Sequence, residues 1–107
     1  MAQYLVKAKP KIGRLKELRE RLDAGEIAVM RPFGSALDFS LKNGRLQEDG
    51  YALWEEEDYC SPPLAQERQA ILDYYFEKIS AERVQPDRGW KRIASLPSLW
   101  TRSRTQT

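Results

Sequence analysis

The chain contains no histidine and a single cysteine, Cys60. The first absence removes the usual general base near neutral pH and the commonest metal ligand. It also excludes Ser-His-Asp and Cys-His machinery within one chain. The second excludes an intrachain disulfide and fits a reducing compartment. With one thiol and no imidazole, no zinc site is expected, and no cofactor is implied. No apolar run approaches the ~20 residues of a membrane helix, and Met1-Ala2-Gln3-Tyr4 lacks the regions of a signal peptide. The expected location is cytoplasmic, without a membrane partner. An excess of one charge is missing too: 18 Lys and Arg face 16 Asp and Glu, a net +2. That near balance argues against a dedicated nucleic-acid binder.

What is present suits one packed domain. The 107 residues are 41% apolar and 32% charged, enough for a modest core under a well-solvated surface. Residues 3–9 read as a strand, with Tyr4, Val6 and Ala8 on one face and Leu5, Lys7 and Lys9 on the other. Residues 12–24 read as a helix, because Ile12, Leu15, Leu18 and Leu22 recur at helical spacing, and Gly25 suits its C-terminal cap. Residues 26–47 admit two readings. Phe33, Leu37 and Leu41 fit a helix closed by Asn43-Gly44. Leu37, Phe39 and Leu41 also alternate with polar residues before Asn-Gly, a hairpin signature. The hairpin is preferred, since Phe39 would face solvent on a helix.

Residues 50–59 read as a strand rich in aromatics. Ser61-Pro62 then looks like a helix start, with Ser61 capping and Pro62 in the first turn. That helix runs to about Ile79 along Leu64, Ile71, Leu72, Tyr75, Phe76 and Ile79. A short strand at 82–84 and a turn at 86–89 follow. Trp90, Ile93, Leu96, Leu99 and Trp100 form an apolar tail expected to dock on its own domain or across a dimer seam. One domain over 1–100 and a frayed polar end over 101–107 complete the reading.

Strand, helix, two strands, helix, strand is an α+β order of the ferredoxin-like split βαβ kind, with both helices on one sheet face. In this order, over roughly residues 3–84, the chain resembles the dimeric α+β barrel superfamily. The resemblance implies two sheets packed face to face in a homodimer. It also implies functions among small-molecule monooxygenases, isomerases and ligand-binding domains, several of which use a histidine.

Four places could carry chemistry. In Glu55-Glu56-Glu57-Asp58, carboxylates at i, i+2 lie about 7 Å apart on one strand face, which suits a shared hard cation or a coupled acid/base pair. The plainer reading is a solvated strand end that blocks edge pairing. Cys60 precedes a helix start, which can favour a thiolate, yet the acidic neighbours and the missing histidine point to a structural thiol. Seven basic residues between Lys7 and Arg21 suit a phosphate or RNA surface, or a solvated helix face with pairs such as Glu17–Arg21. Arg31-Pro32-Phe33-Gly34 and Gly89-Trp90-Lys91 set an aromatic beside a glycine and a cation, as a ligand rim or as core-edge plugs. The candidate binding residues are Arg31, Phe33, Tyr51, Trp54, Glu55, Glu57 and Trp90; no catalytic residue is assigned. The function expected is a non-catalytic dimer that binds a protein or small-molecule partner. The alternatives are a cofactor-free small-molecule enzyme and an RNA-binding domain.

Overall fold

The computed structural model describes residues 2–100; the polar end expected to fray lies outside them. Strand β1 (Ala2–Pro10) leads to α1 (Leu15–Asp23) and α2 (Gly34–Lys42). Next come β2 (Arg45–Leu46) and β3 (Ala52–Asp58). A short α3 (Ala65–Glu67), a wider π-helical turn (Arg68–Leu72) and α4 (Asp73–Tyr75) follow in one unbroken run. β4 (Phe76–Val84) and α5 (Arg88–Arg92) complete the order. The four strands form one antiparallel sheet in the order β2-β3-β1-β4. This is an α+β fold.

Strand alternation sorts the side chains onto two faces. Val6, Ala8, Ala52 and Trp54 share one core with Leu18 and Leu22 of α1, Leu37 and Leu41 of α2, and Ile71, Leu72 and Tyr75. The three helical units ahead of β4 therefore pack on one face. Leu5 and Leu53 point the other way, into a smaller cluster with Ile93, against which Val84, Trp90 and Leu96 pack. Strand β1 pairs in register with β3, Val6 opposite Trp54 and Ala8 opposite Ala52.

Four sequence expectations are corrected. Residues 34–42 form a helix, not a hairpin arm. Phe39 is indeed 60% exposed on it, but its ring meets Trp90 edge to face, with centroids 6.3 Å apart, so the exposure is partly relieved from across the fold. The second helix begins at Ala65 rather than at Ser61-Pro62. Leu64 has left-handed backbone (φ 68°), which no helix continues through, and Asp58 ties the loop by accepting from the N–H groups of Cys60 (3.1 Å) and Leu64 (2.6 Å). The same helix stops at Tyr75, and the short strand expected at 82–84 is nine residues long. Strand β4 is bulged where Lys78 has φ 52° and the register against β1 shifts between Lys7 and Lys9. Gly25, with φ 78°, ends the first helical segment as its lack of a side chain allows.

The C-terminal segment covers the second sheet face and then rounds the edge of β2. Leu46 N–H donates to Pro97 O and Leu99 N–H to Gly44 O, both at 2.9 Å. Leu99 enters the main core, and the Trp100 indole N–H donates to Leu41 O at 2.7 Å. The start of the segment is pinned by Glu55, which accepts from Asp87 N–H (2.8 Å) and Trp90 N–H (3.0 Å). These are donors that the first turn of α5 leaves unsatisfied. Gly89 makes room for that carboxylate: a Cβ there would sit 2.9 Å from Glu55 Oε1. Replacing Glu55 by Ala should therefore cost about 2–3 kcal/mol, the scale of hydrogen bonds to a charged acceptor. Urea unfolding measures it, and an unchanged midpoint would show that Glu55 does not hold α5.

Candidate functional site

The singled-out residues do not meet in one place. Trp54 is fully buried, and its indole N–H donates to Glu56 Oε1 at 3.0 Å. Glu55 is occupied with α5. Glu57 is half-buried and accepts from the Tyr59 hydroxyl at 3.4 Å. Phe33 packs against the main core and Arg31 is exposed ahead of it. Trp90 packs against both clusters. Tyr51 lies at the open end of the second sheet face, with the ammonium groups of Lys7 and Lys9 at 4.8 Å and 5.9 Å from its ring centre.

The basic run of residues 7–21 is largely engaged. Arg21 donates to the Tyr75 hydroxyl (3.0 Å) and pairs with Glu26 (2.9 Å). Arg14 stacks on Tyr75 and pairs with Glu17, and Arg19 pairs with Asp23.

Among the described residues two sites stand out, one on each sheet face. The first is a cleft of about 400 Å³ between the sheet and the C-terminal segment. Leu5, Leu53, Ile93 and Leu96 form its apolar part, and Lys7, Gln47, Ser80, Glu82, Arg92 and Ser95 border it. Besides the Tyr51 ring, Lys7 reaches Asp49 at 4.0 Å, whereas Arg92 is held by Glu82 at 2.9 Å. A wider surface groove continues from the cleft past Gln47 and Leu96 towards Asp49 and Pro97.

The second site closes the helix-covered face at the end of β3. Strand alternation puts Glu56 and Asp58 on that face, and the short α3 brings Glu67 against them. All three are at most 5% exposed, so the solvated strand end expected for Glu56 and Asp58 is a buried carboxyl cluster. Burial pushes the Glu67 carboxyl up to about 7, and its hydrogen bond with Asp58 adds to the rise. Burial also holds Glu56 well above the ordinary range, outweighing the Trp54 indole, with Glu67 and Asp58 adding to it. At Asp58 burial works against the charge but is outweighed by donors from Leu64, Glu67 and Cys60, and its pKa falls. Cys60 gains some thiolate character from the Gln66 backbone. Burial and the charges of Asp58 and Glu67 override it, and the thiol pKa rises. The charge environment thus holds Cys60 as a thiol.

Glu67 is the residue that sequence reasoning missed. It stands three residues after Leu64 and four before Ile71, at the buried spacing of the expected helix, and all three are buried. Its other sequence signal is a third acidic residue shortly after Asp58 and Cys60.

No protein-family model matches the chain, and no curated protein or solved structure matches it significantly.

Proposed function

We propose that the chain is a non-catalytic ligand-binding domain of ferredoxin-like topology that takes a small amphipathic anion into the cleft on its second sheet face. The topology reading is supported by the antiparallel order β2-β3-β1-β4 with every helical unit ahead of β4 on one face. The observation that carries the function is the cleft itself. Its volume of about 400 Å³ falls in the range of small-molecule sites, and it sets an apolar floor of four side chains inside a polar rim that holds Lys7 and Arg92. Lys7 supplies a loosely paired cation at the border. The carboxyls with the most altered protonation, Glu56 and Glu67, lie on the opposite face, which favours binding over acid/base catalysis in the cleft. A second copy is not required to cover Leu5 and Leu53, which are met by the chain's own Ile93. Lys7, Lys9 and Tyr51 offer one stacking ring on that face, which favours a small ligand over RNA.

Calorimetric titration of the full chain with decanoate and with a naphthoate tests this reading. Saturable binding is expected, weakened at least about tenfold by Leu53→Trp, which fills the cleft, and weakened also by Lys7→Glu at the border. Lys7→Glu leaves the core untouched, so it decides the matter if Leu53→Trp fails to fold. Unchanged affinity in both folded variants would overturn the assignment. Tight RNA binding that falls steeply with salt would replace it.

A further inference from the structure

The carboxyl cluster on the helix-covered face has the donor set of an ion site. Asp58, Cys60 and Glu67 each offer one ligand atom, and these atoms lie within 4.8 Å of one another. Cys60 Sγ stands 3.9 Å from Glu67 Oε1, near the ~3.6 Å edge that a tetrahedral pair of Zn–S and Zn–O bonds spans. Asp58 is already oriented, since its Oδ2 accepts from Cys60 N–H and Leu64 N–H. Such outer bonds fix a metal ligand before the ion arrives.

A second observation, independent of those three residues, points the same way. Glu56 is 2% exposed, its Oε2 is buried without a donor, and strand alternation sets it on the face of Asp58. None of the ion pairs among the described residues includes Glu56, Asp58 or Glu67. Three buried carboxyls without a Lys or Arg partner need neutralising by shared protons or by a cation.

We propose that Asp58, Cys60 and Glu67 bind one divalent transition-metal ion of the Zn²⁺ type, with Glu56 closing the site from the core side. The donor set selects the class. Ca²⁺ and Mg²⁺ take oxygen ligands and gain nothing from sulfur, whereas a purely soft ion would want more than one thiolate. The expectation of no zinc site counted imidazoles and thiols; the fold supplies carboxylates instead. Cys60 is only partly buried, which gives the ion a way in. On binding, the Cys60 thiol proton and the proton that Glu67 holds against Asp58 leave to solvent as the S–metal and O–metal bonds form, the ion's charge reversing the acidic surroundings that favour the protonated groups.

The test uses the full chain without an affinity tag, so that no histidine competes. Zn²⁺ is titrated by calorimetry, and Co²⁺ by absorption. Expected are one saturable Zn²⁺ site per chain and a thiolate-to-cobalt charge-transfer band. Cys60→Ser should abolish the band, and both Cys60→Ser and Glu67→Gln should weaken Zn²⁺ at least about tenfold. If buried Glu67→Gln does not fold, partly exposed Cys60→Ser still decides. No saturable binding, or binding unchanged in folded Cys60→Ser, would show a cluster held by protons alone. Saturation by Ca²⁺ or Mg²⁺ in preference to Zn²⁺ would overturn the ion class.

Discussion

A chain ending at Gln85 should no longer fold cooperatively. The deletion removes Ile93 from the cluster over Leu5 and Leu53 and Leu99 from the main core, where they are 4% and 2% exposed. Each buried aliphatic side chain of this size is worth about 2–5 kcal/mol. Trp90 and Trp100, both packed against the main core, add to the loss. So do the hydrogen bonds from Leu46 and Leu99 along the edge of β2. The sum exceeds roughly 5 kcal/mol, comparable with the whole stability of a small domain. Thermal unfolding of the truncated and full chains measures it, with loss of a sigmoidal transition expected. Leu99→Ala is the graded version and should lower the midpoint without abolishing the transition. A truncated chain that melts like the full one would mean that the sheet does not need its C-terminal cover.

The carboxyl cluster predicts a stability that falls as pH rises when the protein is kept metal-free with a chelator. Glu67 moves from an ordinary 4.5 to about 7 in the fold, and Glu56 is raised as well. Between those values the folded chain keeps a proton that the unfolded chain has lost. The stabilisation is therefore full below about pH 4.5 and is lost as pH climbs through 7, on the order of 2–3 kcal/mol for Glu67 alone. Asp58, whose pKa is lowered, acts in the opposite direction, its contribution lost only as pH falls through that lowered value. The groups that face Glu67 are Glu56 and Asp58 from β3 and Cys60 from the loop, so its proton has no cation to compete with. Urea unfolding at pH 5.5 and pH 8 should show the higher midpoint at the lower pH, and Glu67→Gln should flatten the difference. A midpoint that rises with pH would contradict the protonation of this cluster.

The elements that follow one clean period were legible in the residues. β1 and β3 alternate, α1 repeats at helical spacing, and Gly25 marks its end. The misreadings have local causes. Phe39 argued for a hairpin because its partner, Trp90, stands 51 positions away in sequence, where no periodicity reaches. Phe76 and Ile79 looked like successive turns of a helix because the bulge at Lys78 inserts one residue into β4. That insertion converts the spacing of two expected on one strand face into a spacing of three. The acidic run was legible as chemistry but not as two separate jobs. Alternation sends Glu55 to hold α5 and Glu56 and Asp58 to the opposite core. Glu67 joins them from the helical spacing it shares with buried Leu64 and Ile71. The cleft had no signature at all, since it arises from a tail that folds back over Leu5 and Leu53.

The ligand-binding reading rests on that cleft, and methyl-resolved NMR of the full chain tests it most directly. On titration with decanoate, the resonances of Leu5, Leu53, Ile93 and Leu96 should shift together and saturate, while those of Leu18, Leu22 and Leu37 on the other face stay in place. Shifts that leave Leu5 and Leu53 unmoved, or that spread evenly over both faces, would contradict it.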